Sequence, residues 1–412
     1  MQRPASESSD ALRVQRLMIA LVFIATALNY VDRQVLALLK PTLEAEFHWT
    51  DQQFAHLGSV FQITAAASLL GVGWFVDRFG VRLSYAIAVG VWSAACMMHG
   101  VARSVSEFVV ARAVLAAAES VNTPAAIKSA AVYLPLERRS RAIGIVNTAP
   151  NIGAILTPLA IPPIALAFGW QAAFLVTGAL GFLWLGAWIW GTRRLKPIVA
   201  ESKLQAPAAR SARAALADRA SWTVIGAKAL TDLVWWFVLF WMPDFFNRQF
   251  GLSQGQLGVP VAIIFLLAAA GALSSGALYP ALLRRGWSVN RARKSSMLLY
   301  AVAVLLMPVA LTVSNPYLAA VLIGFGLFAH QGFSTNIFGM ATDIVPAARI
   351  GTVIAFGGVA GNLTGSAIIE LAGWSLTNGH GYAPMFVICG TAYLWALLFI
   401  HLTQPVLRLR EA

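Results

Sequence analysis

The chain has 412 residues, 58% of them hydrophobic and only 11% charged, with a mean hydropathy of +0.71. Soluble domains carry about 25% charged residues, so there is too little polar surface here to keep a protein of this size in water. The net charge of +13 gathers into no basic stripe on a soluble face, which argues against a nucleic-acid partner.

Residues 1–16 are polar and lack a cleavage signature after a short apolar core, so they read as a tail before an uncleaved first span. Apolar runs of about 20 residues cross a bilayer as helices. The first six fall at Leu17–Leu39, Phe54–Val76, Ser84–Val101, Phe108–Leu134, Ala142–Phe168 and Ala172–Thr192. A stretch from Arg193 to Ala220 follows, with Lys196, Pro197, Lys203, Pro207, Arg210, Arg213 and Arg219, and it cannot insert. The remaining runs are Trp222–Phe246, Leu257–Leu283, Ser296–Val313, Tyr317–Ile344, Thr352–Trp374 and Tyr382–Leu402. The predicted architecture is an all-α integral membrane protein with twelve transmembrane helices. Its two six-helix halves, 1–192 and 221–412, flank a basic linker, 193–220.

Charge sets the orientation. With the N-terminus on the cytoplasmic side, that side collects Arg3, Arg13, Arg16, Arg78, Arg82, Arg138, Arg139, Arg141, the linker cluster, Arg284, Arg285, Arg291, Arg293, Lys294, Arg349, Arg408 and Arg410. The other side keeps little beyond Lys40, Arg103 and Arg248. By the positive-inside rule both termini and the linker are expected to be cytoplasmic, in an inner membrane. The loop after the second span, Gly73 to Arg82, is echoed after the eighth by Gly276 to Gly286 with Arg284 and Arg285, as in an internal repeat. Cys96 and Cys389 sit in separate apolar runs without metal or redox spacing and read as packing residues.

Ionisable groups within a span are costly unless paired or wet, and they mark a pathway or a coupling site. In span one, Asn29, Asp32 and Arg33 lie three and four positions apart. Asp32 reads as a proton carrier and Arg33 as a carboxylate ligand, against a purely structural ion pair. Arg112 and Glu119 in span four are about two turns apart on one face, spaced to line one cavity at different depths. Glu119 is the second protonatable candidate; Arg112 either binds an organic anion or snorkels to the interface. Lys128 points to a different face and toward the interface.

Span seven carries Lys228 and Asp232 at the spacing of a local neutralising pair, then Trp235 and Trp236, which either stack on a sugar ring or pack. Tyr30 and Gln62 offer hydrogen bonds toward the same cavity. Asn147 and Asn151 in span five bind substrate or a neighbouring helix. Span ten holds His330, Gln331 and Asn336. In span eleven Asn362, Ser366 and Glu370 share a face, with Glu370 near the outer end and solvated. The acids and bases concentrate in the first half, which suggests that it handles charge and proton while the second half reads hydroxyl groups.

Gly73-Trp-Phe-Val-Asp77-Arg78-Phe-Gly80-Val-Arg82 resembles the G-x-x-x-D-R-x-G-x-R loop of the major facilitator superfamily. Four stretches are similar to the sugar-acid branch of its anion:cation symporter family, the hexuronate and galactonate carriers. They are Asn29 to Gln34, Arg112 to Lys128, Asn147 to Pro158 and Leu230 to Trp241. The likeness covers nearly the whole chain. Asn362 matches the galactonate type, whereas spans four and seven look hexuronate-like. Ala65 stands where galactonate-type carriers have a tyrosine, and the loop after span eight lacks the motif's aspartate.

The resemblance implies a monomeric secondary carrier for a small anionic substrate and protons, in the lipid bilayer, without cofactor or metal. Its two halves would rock about a midplane site, with Gly73, Asp77, Arg78, Gly80 and Arg82 as a gating loop. The substrate would meet Tyr30, Arg33, Gln62, Arg112, Asn147, Asn151, Trp236, Asn336 and Asn362. Protonation of Asp32 and Glu119 would release their hold on Arg33 and Arg112. Rival readings are a drug or metabolite:proton antiporter and a ligand sensor on the same fold. Span five lacks the G-x-x-x-G-P pattern of such exporters. There is no G-x-S-x-G or H-E-x-x-H motif to suggest an enzyme.

Overall fold

The computed structural model describes residues 9–193, 197–198 and 208–407. Arg3, Lys196, Lys203, Pro207, Arg408 and Arg410 lie outside the described residues. The first six predicted spans become α1 (Ser9–Leu38), α3 (Asp51–Leu69), α4 (Val72–His99), the pair α5 (Val105–Glu119) and α6 (Asn122–Tyr133), the pair α7 (Leu136–Val146) and α8 (Ala149–Phe168), and α9 (Trp170–Thr192). A short α2 (Lys40–Phe47) follows α1, and α10 (Ala208–Leu216) occupies part of the predicted linker. The last six are α11 (Arg219–Phe250), α12 (Gly258–Arg284), α13 (Val289–Val304), α14 (Pro316–Ile344), α15 (Ala347–Thr377) and α16 (Ala383–Thr403).

Among the described residues, ten helical stretches are long and apolar enough to cross a membrane. The other two predicted spans are α3, which carries Asp51, Gln52, Gln53, His56 and Gln62, and the interrupted pair α5–α6. Helix starts follow side-chain capping: Thr50, Ser104, Asp218, Ser288 and Asn315 each accept a hydrogen bond from a first-turn backbone N–H.

The breaks have local causes. Pro124 has no N–H to give the carbonyl of Ser120, and Pro150 has none for that of Val146. Spans four and five are interrupted at those points. The predicted loop Gly73 to Arg82 is mostly helical, bent at Gly80 (φ 73°, ψ 158°), a conformation that favours glycine.

The packing repeats with a shift of six spans. Helix α3 lies on α5 as α12 lies on α14, and α4 touches α5 and α9 as α13 touches α14 and α16. Likewise α1 meets α8 and α9 as α11 meets α15 and α16. The two sets of helices face each other through α3 with α15, α8 with α12, and α1 with α11. A bundle that has no hydrophobic drive between helices depends on close small-residue contacts. At Gly271 a Cβ would lie 2.4 Å from the carbonyl oxygen of Phe328 and 2.6 Å from its Cα, both backbone atoms. Gly271→Ala is expected to cost about 1–3 kcal/mol, read as a lower Tm of the purified protein. Gly276→Ala on the same helix meets nothing within 4 Å and should leave Tm unchanged or slightly raised.

Candidate functional site

A cavity of about 820 Å³ enters between the helix sets from the end that carries the linker. It runs along α1 past Met18, Ile19, Val22, Thr26 and Tyr30 and stops at Arg33. Beyond that point Val35, Leu36, Leu38 and Leu39 are fully buried, so the opposite end is shut.

Arg33 Nε donates to Glu119 Oε2 at 2.8 Å, with the two side chains 15% and 0% exposed. The guanidinium sits 5.2 Å from the Tyr30 and Phe61 rings and 5.7 Å from that of Trp236, whose negative faces favour a cation. Glu119 is the last residue of α5, held where the helix breaks, and the Asn29 amide donates to its carbonyl at 3.4 Å. Its second oxygen, Oε1, is buried without a hydrogen-bond partner. A carboxylate with one oxygen on an arginine and one free is suited to exchange that arginine for a proton.

Asp32 and Arg112 depart from expectation. Consecutive residues of a helix diverge by about 100°, so Arg33 reaches the cavity while Asp32 turns back into the first half. Asp32 Oδ1 accepts from Cys96 Sγ at 3.4 Å, and that thiol lies 3.1 Å from Thr177 Oγ1. Thus among the described residues no arginine forms an ion pair with Asp32, and Cys96, expected only to pack, is its neighbour. Arg112 is 2% exposed, stacked 4.7 Å from the Phe61 ring, with Nε and Nη1 unpartnered. It neither lines the cavity beside Glu119 nor snorkels; it forms a buried cationic layer behind Phe61.

The remaining predicted contacts divide. Tyr30, Asn147, Trp236 and Asn362 line the cavity. Gln62 and Asn151 do not; both are buried, each with an unpartnered oxygen. Asn336 is also outside the lining, with its side chain between Gly332 O (2.9 Å) and Arg293 Nη1 (3.4 Å), beside an Arg293–Asp343 pair at 2.6 Å. His330 bonds the Tyr393 hydroxyl at 2.6 Å and stacks on Trp235. Lys228 and Asp232 face the cavity as a pair 2.8 Å apart, so the second half contributes charge as well as neutral amides.

At the linker end Gly73 and Asp77 line the mouth, and Lys128 Nζ reaches Asp77 Oδ1 at 2.6 Å, tying the bent loop to α6. Arg78 and Arg82 are exposed.

The shut end carries a network the sequence reading missed. Lys40 Nζ lies 2.9 Å from Glu44, 2.9 Å from Asp51 and 2.7 Å from Asp244. Arg248 reaches Asp51 at 2.6 Å, Asp244 at 2.9 Å and Glu44 at 3.3 Å, and the Tyr382 hydroxyl donates to Asp244. The three converging carboxylates therefore hold the Lys40 ammonium. Burial lowers the affinity of Lys40 for its proton, but Asp244 and Asp51 outweigh it, and its pKa is raised above the usual lysine value. Glu370, expected to be solvated, accepts from Gln52 Nε2 (2.5 Å) and meets His56 Nδ1 (2.8 Å) across the α3–α15 seam. The four-residue spacings of Lys40 with Glu44 and of Asp244 with Arg248 were the available signal.

A family model described as Major Facilitator Superfamily matches residues 22–369. A hexuronate transporter of Escherichia coli strain K12 is 26% identical over 404 residues, covering 92% of this chain and 93% of that one. A D-galactonate transporter of Escherichia coli O6:H1 is 27% identical over 421 residues, covering 96% and 97%. The fold is shared with a solved bacterial homolog of the human lysosomal transporter Spinster, with a TM-score of 0.76 at 18% identity and coverage of 97% and 99%.

Proposed function

Because the chain belongs to the Major Facilitator Superfamily, we infer that it is a secondary transporter carrying a small organic anion, a hexuronate or aldonate, in symport with a proton. The relatives named above carry sugar acids. The observation that carries the reading is the Arg33–Glu119 pair at the blind end of the cavity. A substrate carboxylate and Glu119 compete for one guanidinium. A proton on Glu119 frees Arg33 for the substrate; its departure restores the internal pair and expels the anion. Each ligand shifts the population of states by its differential affinity. Asp32 and Arg112 form a second acid and cation one layer behind, through which the same proton is relayed or its charge balanced.

The arginine-rich end is assigned to the cytoplasm of an inner membrane, with both termini and the linker there. The cavity then faces the cytoplasm, and the rocking bodies are 1–192 and 221–412, joined by 193–220, working as a monomer. Tyr30, Trp236, Asn147 and Asn362 receive the sugar hydroxyls and ring.

The test pairs binding with flux. Hexuronates, aldonates and aldarates are screened for thermal stabilisation of the purified protein, where a ligand at 100 times its Kd adds about 2.7 kcal/mol. Hits are then followed into liposomes under an imposed proton gradient. Expected is stabilisation by at least one sugar acid and uptake that collapses with a protonophore. Stabilisation without flux would make the protein a sensor, and flux indifferent to the gradient would remove the proton.

A further inference from the structure

Six charged residues line the cavity among the described residues, three basic and three acidic, and each is paired. Arg33 is with Glu119 at 2.8 Å, Lys128 with Asp77 at 2.6 Å and Lys228 with Asp232 at 2.8 Å. The cavity lining is therefore electrically neutral, and the buried Asp32 and Arg112 behind it add one charge of each sign. One proton on Glu119 leaves a surplus of one positive charge at Arg33. One carboxylate cancels it.

The Lys228–Asp232 pair is built into the wall. Lys228, Asp232 and Trp236 stand four residues apart on α11 and face Gly357, Gly361 and Gly365, also four apart, on α15. A Cβ on these glycines would meet Lys228 Cδ at 3.1 Å, Asp232 Oδ2 at 2.3 Å and Trp236 Cδ1 at 2.3 Å, so each side chain lies over a missing one. Trp236 covers Arg33 at 5.7 Å, and each four-residue step along α11 is about 6 Å. A six-carbon chain anchored at Arg33 and extended along α11 would run past Trp236 and bring its far end toward Asp232 and its partner Lys228.

We propose that Asp232 sets the charge class of the substrate: the cavity takes a polyhydroxylated monocarboxylate and rejects the corresponding dicarboxylate. Paired with Lys228, Asp232 accepts hydrogen bonds from hydroxyls while Lys228 donates to them. A second carboxylate there meets Asp232 in a low-dielectric wall, with Lys228 already neutralised, and one proton on Glu119 leaves a net negative charge uncompensated. Selectivity arises by repulsion rather than by fit. This rests on reading the cavity as a sugar-acid site.

The experiment measures uptake of a sugar monoacid by proteoliposomes and its inhibition by an aldarate and by that aldarate's monoamide, equal in length and one charge lighter. In the wild type the monoamide should compete at least ten-fold better than the diacid. Asp232→Asn, which frees Lys228, should shrink that ratio about ten-fold or more, while Asp232→Glu should keep it. Equal competition by diacid and monoamide in the wild type overturns the proposal without recourse to any variant, as does an unchanged ratio in a folded Asp232→Asn protein. Absence of any monoacid uptake by the wild type would instead strike the transport reading itself.

Discussion

Glu119→Gln is expected to abolish uphill accumulation and leave substrate exchange intact. In proteoliposomes the accumulation ratio under an inward proton gradient should fall to about one, while counterflow at equal pH stays within a few-fold of wild type. The glutamine carbonyl still accepts from Arg33 at the position of Oε2, which now bonds it at 2.8 Å. It no longer neutralises the guanidinium, so Arg33 is available to a carboxylate at every pH. Uptake by the wild type should rise as the medium on the substrate side is acidified, because Glu119 must be protonated to yield Arg33. The variant should lose that dependence. Asp32→Asn is expected to lose accumulation as well, for a different reason: its neighbours are Cys96 and Thr177, so it changes the charge behind the site rather than the ligand of Arg33. Undiminished uphill uptake in Asp32→Asn would take that residue out of the mechanism and leave Glu119 as the sole coupling acid. The same result in Glu119→Gln would end the competition model.

What the sequence makes legible follows from what the bilayer enforces. Apolar runs and flanking arginines gave the span positions because burial and charge sidedness act on local composition. The motif loop stood out because its residue types are unusual beside a span. Depth and direction were less accessible. Asp32 and Arg33 are neighbours in sequence, yet only Arg33 reaches the cavity, and Arg112 and Glu119 share α5, yet only Glu119 lines it, because Phe61 of α3 stacks on the Arg112 guanidinium. Asn336 illustrates a polar residue in a span that serves a helix contact: its partner Arg293 comes from α13, and no local pattern joins them. Lys228 and Asp232 read as a local pair by spacing, and they are one. That they also face the cavity depends on three glycines more than a hundred residues away.

Lys40→Met is expected to open the shut end. The network there joins the halves by Lys40 with Asp244, Arg248 with Asp51 and Glu44, and Gln254 Nε2 with the carbonyl of Leu38 at 2.6 Å. Within each half other pairs persist: Lys40 with Glu44 and Asp51 on one side, Arg248 with Asp244 on the other. Separation thus breaks the crossing bonds and leaves no charge without a local partner, the property needed of a latch that opens and closes in every cycle. Removing Lys40 leaves Glu44, Asp51 and Asp244 to a single arginine. The loss of one partner from a buried pair costs about 3–5 kcal/mol, which, where it falls on the closed state, moves a two-state balance by roughly two to four orders of magnitude. The readout is a cysteine at Leu39, buried now, labelled by a membrane-impermeant maleimide; the native Cys96 and Cys389 are both buried and give little background. Labelling should rise at least ten-fold in Lys40→Met and stay near wild type in Lys40→Arg, which keeps the charge. Equal labelling in all three, in protein that still binds substrate, would mean that apolar packing of Val35 to Leu39 closes this end and that the ionic network only decorates it.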